Sequence, residues 1–387
     1  MTKRKILIVI SARASYSRIK TALLALLRKN KINLKVILVA SSSISFYGNT
    51  RRQLEIDGVS IDQCFETLSE HKDFYGQLDT LCTSMQAIGK YILANNFDAI
   101  FTIADRYETI ATAISAVCFN IPLIHLQGGE VTGNIDEKVR HAVTKLANIH
   151  LVCTKIARDN VIRMGEYPCN VFITGCPSCD LAEYASKSNI SPSEILPRYE
   201  CIGIDKPTGC NPYYIVLQHP VTDEYEDVSR QITETIKAVE NMKHDVIWIA
   251  NNADAGADKV YSAVSTFVKS KKKQNVWLYN GIDSSDFLSL LIGSVCILGN
   301  SSVGIRECSY LGVPAVNIGS RQSGRERGKN VIDVAHDWME ILNAVNSCVK
   351  MPRCKDNLYG DGNAGEVIAD ILENIQLNHI KKLVFSQ

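Results

Sequence analysis

Short apolar runs alternate with longer amphipathic stretches almost from end to end, and that rhythm leaves few architectures open. Lys5–Ile10, Leu34–Ala40, Ala99–Ile103, Pro122–Leu126, His150–Cys153 and Val171–Thr174 read as buried parallel strands, being near-continuous in aliphatic residues. Between them, Arg18–Arg28, Tyr107–Phe119, Glu137–Ala147 and Ile156–Met164 carry helical spacing. Strand–helix alternation of this kind implies βαβ units and a doubly wound α/β sheet.

The rhythm breaks between Tyr184 and Pro212, where Ser191-Pro192-Ser193, Pro197 and Pro207-Thr208-Gly209 accumulate. It restarts with Tyr214–Leu217, Val246–Ala250, Val276–Tyr279, Val295–Gly299 and Ala315–Ile318, and the helical pattern Glu366–Ile375 closes the chain. A chain of 387 residues exceeds what one core ordinarily supports. The expectation is two doubly wound, Rossmann-like domains, 1–183 and 213–362, joined by a linker at 184–212 and followed by a helix and tail at 363–387. Ligands of such folds sit beyond the carboxyl ends of the strands, and with two domains the expected place is the cleft between them.

Charge narrows the ligand. The 42 basic and 41 acidic residues leave a formal charge of +1, which argues against nucleic acid and against a membrane surface. A small anion, needing only a few local cations, stays open. The apolar run Ile6–Ile10 is too short for an export signal or a bilayer span, and the 13 scattered cysteines fit a reducing cytoplasm. Cys176-Pro177-Ser178-Cys179 has redox spacing, but no second pair completes a zinc site, so neither a metal nor a cofactor is expected.

The residues after the strands are the unusual ones. Gly299-Asn300-Ser301-Ser302 precedes a helix-like stretch through Arg306-Glu307, and such a turn suits a diphosphate. An ordinary serine N-cap accounts for the same residues, so that turn alone leaves both readings open. The loop Gly319–Gly328 adds Arg321, Arg325 and Arg327. After the first strand, Ser11–Ser17 resembles a phosphate turn but lacks the dinucleotide glycine fingerprint, which disfavours a nicotinamide. Acid–base candidates gather in the first half. Asp105-Arg106 follow a strand, His125 and Gln127 are expected on one face of another, and Glu130 ends it. Asp136 and Arg140 stand one helical turn apart. His219 follows Tyr214–Gln218 as the analogous group of the second half.

Taken in order, these segments resemble the hydrolysing UDP-N-acetylglucosamine 2-epimerases that begin sialic acid synthesis. The resemblance rests on Arg13-Ala14-Ser15-Tyr16-Ser17, Tyr47-Gly48-Asn49-Thr50, Asp105-Arg106, Gly128-Gly129-Glu130 and Arg140–Leu146. It continues through Gln218–Thr222, Asn252–Gly256, Gly299–Ser302, Arg321–Arg325 and Tyr359–Ala364. It implies a GT-B-like fold, a homodimer or homotetramer, and hydrolysis of UDP-N-acetylglucosamine to N-acetylmannosamine and UDP. It further implies UDP-sugar contacts from Arg13, Ser17, Arg106, Arg140, His219, Asn252, Ser301, Ser302, Glu307 and Arg321. Asp105 and Asp136 match acid–base positions, with Gln127, Glu130 and His219 beside them.

Two residues depart from the pattern. The family often has an acidic residue at Ser15, and many members have a catalytic glutamate at Gln127. Glutamine cannot take up a proton as a carboxylate does, so that role falls to Asp136, Glu130 or a bound water, or the sugar differs. A UDP-2,4-diacetamido-trideoxy-hexose epimerase would share nearly all these motifs. A glycosyltransferase would leave the acid–base cluster idle, and a non-catalytic sugar-nucleotide sensor has only Gln127 in its favour.

Overall fold

The computed structural model describes residues 3–45, 49–71, 73–132, 135–188, 190–251 and 256–384. The chain forms two compact units: Met1–Glu130 with Ile135–Asp180 and Tyr359–Gln387, and Val131–Asn134 with Leu181–Leu358.

The first unit is a seven-stranded parallel sheet of β1 (Arg4–Ile10), β2 (Ile32–Leu38), β3 (Gln63–Cys64), β4 (Ala99–Ile103), β5 (Leu123–Leu126), β6 (Ile149–Val152) and β7 (Val171–Ile173). Its order is β3-β2-β1-β4-β5-β6-β7, so the winding reverses between β1 and β4. The helices are α1 (Arg13–Leu27), α2 (Thr50–Ile56), α3 (Phe74–Leu93), α4 (Thr109–Cys118), α5 (Ile135–Leu146) and α6 (Lys155–Arg163), while α7 (Pro177–Lys187) starts in this unit and runs on into the second after Asp180. β1 shows why the strands read so plainly. Ile6, Ile8 and Ile10 enter one buried cluster and Leu7 and Val9 the other, so both faces are covered and no polar alternate survives.

The second unit carries α8 (Pro192–Ile195), β8 (Cys201–Ile202), β9 (Tyr213–Leu217), α9 (Val228–Glu240), β10 (Asp245–Ile249), α10 (Ala257–Lys269), β11 (Val276–Tyr279) and α11 (Ser284–Gly293). β12 (Ile297–Gly299), α12 (Glu307–Leu311), β13 (Ala315–Ile318), β14 (Val331–Val334) and α13 (Trp338–Cys348) follow. Its order, β14-β13-β12-β9-β10-β11-β8, reverses between β9 and β12 and repeats the winding of the first sheet.

Three expectations change. Residues 184–212 are not a free linker but part of the second unit: β8 pairs antiparallel with β11, and the Tyr199 hydroxyl donates to Asp286 at 2.9 Å. The closing helix, α14 (Ala364–Asn374), belongs to the first unit, where it packs on α1. Asp180 accepts from the amides of Ala364 (2.9 Å) and Gly365 (2.7 Å) and from the Thr21 hydroxyl (2.8 Å), clipping α7, α14 and α1 together. Gly365 is what lets the helices approach so closely, since a Cβ there would lie 2.6 Å from the Thr21 carbonyl carbon. Finally, α1 starts at Arg13 rather than Arg18, so Arg13–Ser17 form helix instead of loop. Among the described residues, no helix is long and apolar enough to cross a membrane.

Candidate active site

In the first unit the winding reverses between β1 and β4, the place where an open α/β sheet parts its crossovers and leaves room for a ligand. The backbone is strained there. Ala104 after β4 and Gln127 after β5 both adopt left-handed conformations, φ 61° and 66°, which cost a non-glycine residue about 1–2 kcal/mol.

Asp105, buried, follows the first of these turns. Its Oδ1 accepts from Arg18 Nη1 at 2.9 Å, and its Oδ2 accepts from Arg140 Nη2. Arg140 is itself fully buried, and its Nη1 donates to the Glu130 carbonyl at 2.8 Å. Burial works against the Arg140 charge, but Asp105, Glu130 and Asp136 outweigh it and raise its pKa above the ordinary guanidinium value. The structure therefore gathers Asp105, Glu130, Asp136 and Arg140 around one another. Asp136, half-buried in the first turn of α5, faces that helix's positive end. Arg18 is the residue that sequence reasoning passed over. Its signal was faint: a basic residue five positions into a helix that begins earlier than its periodicity suggests.

His125 is not a proton-transfer group. Its Nε2 lies 3.0 Å from the Ala104 carbonyl and its Nδ1 3.2 Å from the Thr144 hydroxyl, so both ring nitrogens are engaged. Burial pushes its pKa down to about 3, which keeps the ring neutral. The ring instead secures the carbonyl of the strained Ala104 beside Asp105. Nor do His125 and Gln127 share a strand face. β5 ends at Leu126, and the left-handed turn at Gln127 breaks the alternation. The Gln127 side-chain amide is buried and donates to Cys176 Sγ at 3.1 Å, and that sulfur lies 2.9 Å from Ser178 Oγ. Cys176 and Cys179 are both buried thiols.

The remaining candidates of this unit are differently placed. Arg106 donates to buried Glu108 from Nε at 3.1 Å and from Nη2 at 3.0 Å, so its guanidinium is held by its own loop. Arg13 and Ser17 are half-buried in the first turns of α1, with Ser17 Oγ donating to the Arg13 carbonyl at 3.3 Å.

The second unit reverses between β9 and β12, and its candidates meet there. Asn300 clips the two strand ends together: its Oδ1 accepts from the His219 amide at 2.7 Å and its Nδ2 donates to the His219 carbonyl at 2.8 Å. Gly299, at φ +136°, is required, because a Cβ would lie 2.0 Å from the Leu217 carbonyl oxygen. Arg321 Nη1 (3.3 Å) and Gln322 Nε2 (2.9 Å) both donate to the Asn300 carbonyl, which brings Arg321 to the same turn.

The stretch after that turn is less helical than expected. Ser302–Gly304 is one 3-10 turn and α12 spans only five residues, so the macrodipole contributes less than a full helix would. Ser301 is the N-cap of that turn, its hydroxyl accepting from the Val303 amide at 3.4 Å. Ser302 and Glu307 are half-buried on the same segment. Of the basic loop, Arg327 is structural. It pairs with Asp333, and its Nη2 donates to the Gln322 carbonyl at 2.5 Å. Asn252 lies outside the described residues.

Residues 24–373 match the profile of the UDP-N-acetylglucosamine 2-epimerase family. A polysialic acid biosynthesis protein P7 of Escherichia coli is 33% identical over 346 residues, covering 89% of this chain and 85% of that protein. A hydrolysing UDP-N,N'-diacetylbacillosamine 2-epimerase of Legionella pneumophila is 29% identical over 377 residues, 97% of each chain. Among solved structures, UDP-GlcNAc 2-epimerase of Neisseria meningitidis bound to UDP-GlcNAc superposes with a TM-score of 0.78 at 18% identity, over 95% of this chain and 99% of that one.

Proposed function

Because the chain belongs to the UDP-N-acetylglucosamine 2-epimerase family, we propose that it is the hydrolysing form of that enzyme, converting UDP-N-acetylglucosamine and water to N-acetylmannosamine and UDP. The product would feed sialic acid synthesis, in keeping with the name of the E. coli relative. The observation that carries the reading is the buried Asp105, held by Arg18 and Arg140, with Glu130 and Asp136 around the same guanidinium.

The reaction needs such a cluster. The C2–H of a sugar is not acidic until the anomeric carbon turns oxocarbenium-like as UDP departs. Stabilising the leaving diphosphate therefore comes first, and preorganised donors are usually the largest catalytic contribution. Arg321, His219, Ser301 and Ser302 supply them in this reading, with Glu307 and Asn252 for the nucleoside. Arg13, Ser17 and Arg106 are further contacts to the UDP-sugar in this reading. Asp105, held in place by Arg18 and Arg140, takes the C2 proton as C1–O breaks and the glycal forms. Inversion requires the new proton to come from the opposite face, and Asp136 delivers it, with Glu130 as its neighbour, while water adds at C1. Gln127 holds the sugar or that water.

A second reading changes only the sugar. The relative from Legionella pneumophila, matched across 97% of both chains, is named for a diacetamido substrate. Incubation with each sugar nucleotide, followed by NMR, decides between them. Release of N-acetylmannosamine and UDP from UDP-N-acetylglucosamine is the expected result. Turnover of the diacetamido sugar alone moves the substrate, and turnover of neither removes the enzymatic reading.

A further inference from the structure

Gly328 is a glycine whose backbone does not ask for one. Its φ lies outside the left-handed region, so conformation alone would admit other residues. What a side chain would lack there is room. A Cβ would stand 2.6 Å from Ser309 Oγ, 3.1 Å from Asn330 Oδ1 and 3.1 Å from Asp356 Oδ2. Three side-chain oxygens thus converge on one point, from α12, from the residue before β14 and from the segment after α13.

Each oxygen is held in place. Asn330 cannot turn its amide round, because Nδ2 donates to the carbonyls of Gly304 and Val313, both at 3.0 Å. Its Oδ1 is buried and has no hydrogen-bond partner among the described residues. Ser309 is 1% exposed, and its hydroxyl likewise has no partner there. Asp356 uses Oδ1 to accept from the Leu358 amide at 3.0 Å, while its own amide donates to the Ser309 carbonyl at 3.0 Å. Among the described residues Asp356 has no ion-pair partner. Lys355, next to it, is directed instead to Glu183 (3.2 Å) and the Tyr310 ring (3.7 Å). Oxygens gathered in this way repel one another unless a donor or a cation lies among them.

The geometry points to a binding site for a potassium-sized monovalent cation, held by Ser309, Asn330 and Asp356. Ligation by oxygen alone is the chemistry of hard cations. One carboxylate with two neutral oxygens balances a single positive charge. Distances of 2.6 to 3.1 Å from a common point are wider than the roughly 2.0–2.1 Å that Mg²⁺ demands. Among the described residues no three His, Cys, Asp or Glu side chains cluster, which sets a transition metal aside. The ion bears on the candidate site through Asn330, which also holds the Gly304 carbonyl at the end of the Ser302–Gly304 turn. That consequence rests on assigning the turn to the diphosphate, whereas the cation site itself does not.

Crystals of the full chain grown in rubidium chloride locate the ion directly, since rubidium scatters anomalously and water does not. An anomalous peak among Ser309 Oγ, Asn330 Oδ1 and Asp356 Oδ2 is the expected result, and a water molecule only overturns the proposal. In solution, potassium chloride is compared with choline chloride at equal ionic strength. At about ten times the dissociation constant, potassium should raise the melting temperature by roughly 3–6 °C. Asp356→Asn keeps the shape and removes the charge, and Gly328→Ala puts a methyl group into the site. Both should abolish the difference between the two salts, whatever they do to the melting temperature itself. A difference that survives in both variants overturns the proposal. UDP should bind about fivefold more tightly in potassium than in choline. An anomalous peak with equal UDP affinities overturns the link to the turn. UDP binding absent from both salts strikes the diphosphate reading and leaves the cation site standing.

Discussion

The two units repeat one winding yet finish their switch points with opposite chemistry. In the first, the carboxyl ends of β4 and β5 carry left-handed non-glycine residues and a buried set of charges built on Asp105 and Arg140. In the second, the ends of β9 and β12 are joined by a neutral amide clip from Asn300, with glycine where the backbone demands it and Arg321 as the cation that reaches the turn. Buried charge and backbone strain are costly to maintain, and under the proposed reaction they fall in the unit assigned the proton transfers. A neutral, rigid turn suits the part assigned to the diphosphate in that proposal, since the leaving group binds and departs without exchanging protons.

Four changes probe that contrast, in decreasing order of effect. Arg140→Met leaves Asp105, Glu130 and Asp136 without their shared counter-charge and is expected to destabilise the first unit by about 3–5 kcal/mol. Calorimetry should show its transition falling while that of the second unit stays put. Asn300→Ala removes two neutral hydrogen bonds and should cost about 2–3 kcal/mol, this time in the second unit's transition. Equal losses from the two changes would erase the distinction between a charged and a neutral switch point.

The third change is a matter of pH. The His125 pKa, held by burial at about 3, lies below its ordinary 6.5. Its contribution is thus fully present above pH 6.5 and is lost as the pH falls toward 3, about 2 kcal/mol by pH 5. His125→Gln should be less stable at neutral pH but lose less on acidification. Asp180, pushed up to about 6 by burial, titrates nearby with the opposite sign, so the difference between variant and native protein is the readout. The smallest effect concerns Gln127. Cys176→Ala removes the sulfur that receives its amide and should lower kcat about threefold to tenfold, with Cys176→Ser recovering most of it.

The strands were legible wherever both faces are buried, as Ala99–Ile103, Val276–Tyr279 and Ala315–Ile318 show by matching to the residue. β3, β8 and β14 were not, being edge strands or short pairs with partly exposed, mixed residues. α3 escaped because the first half of the line it buries, Gly76, Thr80 and Ser84, is not aliphatic, and only Ile88 and Ile92 follow. At the candidate site, strand-end position alone was enough to single out Asp105 and the Gly299–Ser302 turn. Partnerships were not readable. Nothing local ties Arg18 to Asp105 across 87 positions, or Gln127 to Cys176 across 49. His125 misled for the same reason, since a histidine at a strand end looks identical whether its nitrogens are engaged or available.

The division of labour between the units is tested most directly by titrating UDP into the native protein and into Asp105→Asn and Arg321→Ala by calorimetry, alongside turnover of the sugar nucleotide. Asp105→Asn is expected to bind UDP within about twofold of the native protein while turnover falls roughly 10³-fold. Arg321→Ala is expected to lose UDP affinity by at least about tenfold. An Asp105→Asn protein that turns over normally, or one that no longer binds UDP, would contradict it.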